Sequence, residues 1–307
     1  MKKIAFLLLL SGFAVTAQKK PVIQKEEIIR IETELASDKM EGRKIFTRGV
    51  DSASVFIEKE FAKIGLSYYK DLKNYKQEFT RQDRNANNVV GILPGKSKPN
   101  EYVVFSAHFD HLGIKDDGTD KVYNGANDDA SGTTAVIALA KYFKELGNNE
   151  RTIIFVAFTG EEVGGYGSRY FSKSINPDEV VAMFNIEMIG TESKWNKDSA
   201  YITGFEKSDF GTILQKNLKG SKFQFYEDPY PSQNLFYRSD NKTLAALGVP
   251  AHTISTSKMD DEQNYHKLSD EVATLDLDNM TEIIKAIAIS SESIINGKDT
   301  PTRVEKR

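Results

Sequence analysis

The 307-residue sequence contains no cysteine. That absence excludes disulfides, thiol nucleophiles, thiolate-held zinc and iron–sulfur clusters. It does not argue against export, because a mature chain of about 290 residues buries a large core without covalent staples. Basic charge is not in excess either: 41 Lys and Arg stand against 44 Asp and Glu, a formal net charge of −3. Nucleic acid, which wants a basic face, is therefore not an expected partner. No apolar run approaches the roughly 20 residues that cross a bilayer, so no membrane span is expected. His-Glu-x-x-His and Gly-x-Ser-x-Gly are both missing, which excludes a thermolysin-type protease and a serine-hydrolase elbow. There is no internal repeat and no low-complexity tract, and the composition is that of an ordinary soluble globular protein.

The chain opens with Met-Lys-Lys, an apolar run Ile4–Leu10 and a small-residue end Val15-Thr16-Ala17. This is the pattern of a secretory signal peptide over Met1–Ala17, cleaved to leave Gln18 first. The apolar run is too short for an anchor, and a lipoprotein signal would need a cysteine. Losing Lys2 and Lys3 takes the formal charge from −3 to −5. The expected location is periplasmic or secreted.

Apolar residues at near-helical spacing predict helices over Ile23–Leu35 and Val50–Leu66, the second stopped by Gly65. From about residue 88 the pattern changes. Asn88–Leu93, Tyr102–Ala107, Thr152–Phe158, Val180–Ile189 and Val249–Ser255 are short apolar runs without polar alternation, which suits strands buried on both faces. Helices are expected between and after them at Ser131–Leu146, Asp209–Leu218, Lys242–Leu247 and Asn279–Ile295. The alternation implies an α/β fold with a mixed, mostly parallel central sheet flanked by helices. We divide the chain into the leader 1–17, a helical extension 18–87 packed on a catalytic domain 88–297, and a polar tail 298–307. Gly91-Ile-Leu-Pro-Gly95-Lys96-Ser97 looks like a phosphate loop but has three residues between the glycines and no helix after it, so a turn is expected.

Polar residues gather at the predicted strand ends. His108 and Asp110 follow one strand, Glu161-Glu162 another, and Glu187 lies near the end of a third. Asn127-Asp128-Asp129 precedes the helix at Ser131, and His266 comes from a later loop. Ligands of open α/β sheets collect at the carboxyl ends of strands. Taken singly, each residue has an ordinary explanation, such as a capped histidine, a helix N-cap or a solvated loop. Together they form a carboxylate cluster that is costly to bury without cations. Two imidazoles with carboxylates and no thiols suit zinc better than calcium or magnesium, with cobalt or manganese as substitutes. Two dications balance Asp128, Glu162, Glu187 and one bridging hydroxide. His111 and His252 are read as structural, His111 flanking the site and His252 lying in a strand.

These residues sit in recognisable motifs: Ala-His-Phe-Asp-His at 107–111, Gly-Ala-Asn-Asp-Asp-Ala-Ser-Gly at 125–132, Thr-Gly-Glu-Glu at 159–162, Asn-Ile-Glu-Met-Ile-Gly at 185–190, Arg-Ser-Asp-Asn at 238–241 and Asn-Tyr-His-Lys-Leu-Ser-Asp at 264–270. Glu41-Gly42-Arg43 in the lead-in is a weaker one. The chain resembles, from about residue 30 to 295, the co-catalytic di-zinc peptidases, which include secreted bacterial leucyl-type aminopeptidases and, more distantly, glutamate carboxypeptidases. The resemblance implies a three-layer phosphorylase/hydrolase-like fold, two zinc ions per chain and peptide substrates. It implies that Asp128 bridges the ions, that His108 and Glu187 complete one and Glu162 and His266 the other, and that Glu161 is the general base. Asp110 would fix the His108 ring through its other nitrogen, and the Asp128-Asp129 peptide would be cis. Tyr265 would help hold the oxyanion, or else pack as a lid on His266. Arg238 is a candidate anchor for a substrate end, or an ordinary surface arginine. Glu187 departs from the family, where Asp is usual, and its longer arm bears on the tightness and identity of that ion.

The activity expected is that of an aminopeptidase using a metal-bridging hydroxide. Carboxypeptidase, dipeptidase or glutaminyl cyclase activity on the same fold is the alternative, and a non-catalytic ectodomain is a further one.

Overall fold

The computed structural model describes residues 20–307, so the expected leader and its cleavage point lie outside the described residues. Helix α1 (Lys25–Leu35) buries Ile28, Ile31 and Leu35, and α2 (Arg48–Ile64) buries Val50, Ala53, Ile57 and Phe61. Steps of three and four put each set on one helical stripe. Gly65 ends α2 in the left-handed conformation, φ 76°, where its N–H reaches the carbonyls of Phe61 and Ala62.

The stretch 18–87 holds sheet as well as helix. Strands β1 (Ser67–Tyr68) and β2 (Lys76–Arg81) both pair antiparallel with β3 (Arg84–Leu93). The polar composition of β2, Lys-Gln-Glu-Phe-Thr-Arg, hides it from a search for apolar runs.

Beyond β3 come β4 (Lys98–His108), the small hairpin β5 (Gly113–Ile114) and β6 (Val122–Tyr123), and α3 (Ser131–Leu146). Next are β7 (Arg151–Phe158), α4 (Tyr166–Ser174), β8 (Val180–Ile186), β9 (Ser199–Ile202) and α5 (Phe210–Asn217). The last are β10 (Gln224–Glu227), the single turn α6 (Lys242–Ala245), β11 (Ala251–Ser255) and α7 (Leu277–Ile295). The main sheet runs β1-β3-β7-β4-β8-β11-β9-β10, with β2 outside β3. Its centre, β7-β4-β8-β11, is parallel, and antiparallel pairs flank it. Strands β9 and β10 were not expected, and β8 stops three residues short of Ile189. The expected turn between β3 and β4 is present, over residues 94–97.

Side chains alternate across the sheet with period two. Val103, Phe105 and Ala107 of β4 face α1, α2, α3, α5 and α7, while Val104 faces the thinner layer of α4 and α6. Phe105 stacks on Phe143, Phe155 and Phe184 with ring centroids 5.6, 5.8 and 4.7 Å away. Residues of the amino-terminal helices belong to the same apolar core as the sheet.

One acid lies in that interface. Glu32 of α1 is fully buried, and Thr134 of α3 donates to it at 2.7 Å. Burial raises its carboxyl from 4.5 to about 8, against the Thr134 hydrogen bond and the Arg43 charge. The folded state therefore holds a proton that the unfolded state releases near 4.5, so stability falls as pH rises from about 4.5 to about 8. Glu32→Gln should flatten that decline, which is at most about 1.4 kcal/mol per pH unit for one proton, and should raise the melting temperature at pH 8 but not at pH 4. Equal pH slopes for both proteins would refute the reading.

Candidate active site

Strands β7, β4 and β8 are parallel neighbours, with His108 opposite Phe158 and Ser106 opposite Asn185. Their carboxyl ends therefore share one edge, and the loops that leave them meet there. β4 delivers His108, Asp110 and His111. β7 delivers Glu161-Glu162 after Thr159-Gly160. Glu187 comes directly after β8, its N–H still bonded to Ile254 O at 3.1 Å. The turn Ala126–Ala130, leading into α3, brings Asp128 across these ends. His266 comes from the loop beyond β11, at φ 57°.

Asp128 is the centre. His108 Nε2 lies 3.3 Å from Oδ1, and His266 Nε2 lies 3.2 Å from Oδ2. The same His266 nitrogen is 3.0 Å from Glu162 Oε2. His111 Nδ1 is 2.8 Å from Glu162 Oε1 and 3.8 Å from Asp128 Oδ2. His111, read from the sequence as flanking, is thus inside the cluster. Among the described residues His111, Asp128 and Glu162 form a group whose ligand-type atoms all lie within 4.8 Å of one another. Glu187 is outside that group. Its Oε2 is 3.4 Å from Asn185 Nδ2, and it lines a neighbouring cavity with Glu161, Arg238 and Tyr265. The Tyr265 ring stacks on His266, centroids 3.9 Å apart. Arg238 is exposed at that cavity and donates to Gln233 Oε1 at 3.2 Å.

Asp110 meets the other nitrogen of the His108 ring through its backbone. The His108 Nδ1 contact is to the Asp110 backbone carbonyl at 3.1 Å, while the carboxylate is 3.8 Å away. The carboxylate Oδ1 instead accepts the Glu161 N–H at 3.1 Å. The residue still links His108 to Glu161, but its carbonyl and carboxylate divide the work. His252 is remote from the cluster, bonded to Thr203 O at 2.8 Å and Ser208 Oγ at 2.7 Å.

The electrostatics are those of a buried carboxylate cluster. Burial raises Glu161 well above its usual range, and Glu187, Asp240 and Asp110 add to this. Burial also pushes up Glu187, and Asp110 to about 7. Asp128 stays low against its burial because His108, His266 and His111 surround it. His266, bonded to Asp128 and Glu162, rises to about 10. His108 is raised against its burial by Asp128, Asp129 and Glu161. Carboxylates buried this close together make a strongly negative pocket. A divalent cation on the imidazole nitrogens and carboxylate oxygens would offset that charge. Buried polar atoms without a hydrogen bond point the same way: His111 Nε2, Asp110 Oδ2 and both oxygens of Asp240.

Three supports were not anticipated from the motifs. Asp129, joined to Asp128 through a cis peptide, accepts the N–H groups of His108, Gly132 and Met188 at 3.3, 3.0 and 3.1 Å. A Cβ on Gly132 would lie 2.1 Å from Ile186 O, which is why a glycine closes that motif. Asp270 accepts the N–H groups of Asn127 and Asp128 at 2.8 and 3.0 Å. Arg43 is fully buried and donates to the carbonyls of Leu35, Phe109, Asn124 and Gly125 at 2.5–2.8 Å. Arg43 and Asp270 both stand in the quoted motifs, but nothing in their spacing says which backbone groups they reach.

The family model described as "Peptidase family M28" matches residues 88–290. Aminopeptidase YwaD of Bacillus subtilis is 30% identical over 138 residues, covering 44% of this chain and 28% of that protein. The chain thus spans well under two thirds of the length of the curated relatives it matches first. In fold it is similar to BSAP, a zinc aminopeptidase from Bacillus subtilis (TM-score 0.73, 13% identity, 92% of this chain and 98% of that one). It is also similar to a glutaminyl cyclase from Fimbriiglobus ruber (TM-score 0.70, 17% identity, 92% and 99%). At these identities the two structures speak for the fold alone.

Asp270→Ala would leave two buried N–H groups without an acceptor, at about 1–3 kcal/mol each. We expect a melting temperature lower by several degrees and metal affinity weaker by about 10–100-fold, read by calorimetry and metal titration. Unchanged metal affinity would show that Asp270 does not hold the Asp128 turn in place.

Proposed function

This chain belongs to peptidase family M28, and on that premise we propose that it is an exported zinc aminopeptidase holding two metal ions. The observation that carries the proposal is the meeting of three imidazoles and the Glu162 carboxylate around Asp128, beside a cavity walled by Glu161. Asp128, whose two oxygens face different histidines, would be shared between the ions. His108 and Glu187 would complete one and Glu162 and His266 the other, while His111 orients Glu162 through its 2.8 Å contact. Nitrogen and oxygen donors without sulfur fit zinc.

When bound, zinc supplies Lewis acidity and lowers the pKa of water from about 15.7 to about 7. Glu161 takes the proton from the attacking water and returns it to the leaving amine. Its place in the cavity wall, just beyond the end of β7, suits both transfers. Asp110, through the Glu161 N–H, holds that base at the mouth of β7. Tyr265, stacked on His266, offers its hydroxyl at the cavity for the developing oxyanion. Glu161, the cavity carboxylate not assigned to an ion, favours a substrate's cationic amino terminus, which supports amino- over carboxypeptidase action. Arg238 remains a candidate contact for the rest of the substrate. The leader pattern of residues 1–17 supports export, and we retain 88–297 as the catalytic domain.

Glutaminyl cyclase activity is the second reading. It is favoured by the likeness to the Fimbriiglobus ruber fold and by a compact three-ligand group at which Glu187 is not present. Metal content separates the two readings, near two ions per chain for the first and near one for the second.

The purified protein should hydrolyse aminoacyl anilides, lose that activity to a chelator and regain it with zinc. Glu161→Ala should retain metal and lose about 10²–10⁴-fold in kcat. Hydrolysis indifferent to chelation, or a normal rate in the variant, would overturn the assignment.

A further inference from the structure

A second feature of the site edge is cationic. β3 runs antiparallel to β7, with Val89 opposite Ala157. The tip of the β2–β3 hairpin therefore projects past the carboxyl end of β7, on the edge where Glu161 lies. Asn88 ties it there, donating to Gly167 O at 3.0 Å and accepting from Thr159 N at 3.3 Å. Between this hairpin and α4 opens a groove of about 640 Å³. Its walls carry Arg81, Arg169 and Lys173, and its aromatic surface comes from Phe79, Tyr166 and Tyr170. Among the described residues no carboxylate lines it. Glu78 alternates to the other face of β2.

The cations are held open. Arg81 lies over the Tyr166 ring, 5.0 Å from its centroid, and Phe79 stacks on Tyr170 at 5.3 Å. Arg169 spends only its Nε, on Gly164 O at 2.9 Å. Among the described residues none of the three cations is paired with a carboxylate, in a chain whose net charge is −3. The groove also begins beside the proposed base. The N–H groups of Gly164 and Gly165 both bond to Glu161 O, at 2.9 and 3.1 Å. An extended peptide advances about 3.3 Å per residue, so a substrate held at Glu161 has only to continue along this loop to bring its later residues to the groove.

We infer that this groove receives the acidic downstream residues of the substrate, so that the enzyme prefers peptides carrying Asp or Glu beyond the cleaved bond. The inference rests on the aminopeptidase reading for its chemistry. Carboxylate side chains meet unpaired Arg and Lys, and the peptide backbone lies on the aromatic surface. Oppositely charged cavity and groove then orient the substrate, with its amino end at Glu161 and its acidic stretch outward.

The test compares Leu-Ala-Asp-Glu-Asp with Leu-Ala-Gln-Gln-Asn on the zinc-loaded protein, with leucine p-nitroanilide as a probe that cannot reach the groove. At low salt we expect kcat/KM for the acidic peptide to be roughly fivefold to tenfold higher, a preference that shrinks at high salt. Arg81→Glu/Lys173→Glu should reverse the preference and leave anilide turnover unchanged, and Arg81→Gln/Lys173→Gln should abolish it. In parallel, fluorescence anisotropy tracks binding of the N-acetylated acidic peptide, which an aminopeptidase does not cut. Salt-sensitive binding lost in the Glu variant supports the groove. Equal kcat/KM for the two peptides, or acetyl-peptide binding unaffected by the double variant, overturns the inference. Anionic phosphatidylglycerol vesicles that bind in place of the peptide overturn it in favour of a membrane surface. Failure to cut any peptide or anilide refutes the aminopeptidase reading instead, and the anisotropy arm still decides the groove.

Discussion

A buried carboxylate with both oxygens engaged from different sides is the constraint around which the molecule is arranged. Asp128 meets His108 on one oxygen and His266 on the other, with His111 and Glu162 close by. Holding it there requires separate chain segments to end at one place. A parallel sheet does this cheaply in geometry, since neighbouring strands point their carboxyl ends the same way. The remaining precision comes from polar side chains that grip backbone. Asp129 gathers N–H groups from three segments, Asp270 holds the turn carrying Asp128, and Arg43 draws the end of α1 to the loops on either side. These three residues sit behind the cluster and make its geometry a property of the whole fold.

The same constraint decides the electrostatics. Two like charges 4 Å apart at an effective dielectric near 20 repel by about 4 kcal/mol. Glu161, Glu187, Asp110 and Asp240 therefore resist ionising together. A pocket in that condition attracts cations, whether metal ions or an amino terminus. A few residues away the sign reverses, at Arg81, Arg169 and Lys173. The two fields side by side give the edge of the sheet a direction along which an extended peptide can lie.

Much of the fold was legible because burial leaves a periodic trace. The helices over Lys25–Leu35 and Arg48–Ile64 and the central strands β4, β7 and β8 all carry their core side in plain view. β2 was not legible: an edge strand with one wet face has little apolar signal, and its partner β3 alone explains its conformation. β9 and β10 are four residues each, too short for periodicity to speak. In the site, the residue types and motif spacings pointed to His108, Asp128, Glu161, Glu162, Glu187 and His266, and the fold brings these to one edge. The contact of His111 with Glu162 was not legible, because it depends on where two strand ends meet, which no local pattern records.

By itself, then, the sequence determined the chemistry available: imidazoles and carboxylates without thiols, an α/β alternation to array them, and motifs specific enough to indicate a peptidase family. Tertiary structure alone decided which atoms of those residues face one another. It gave the His108 ring to the Asp110 carbonyl and the Asp110 carboxylate to Glu161, admitted His111 to the cluster, and set a cationic groove beside an acidic cavity. The physical reason is that residue type and spacing specify donors and acceptors, whereas partnership depends on distances of a few ångströms between segments up to 143 residues apart, as between Asn127 and Asp270.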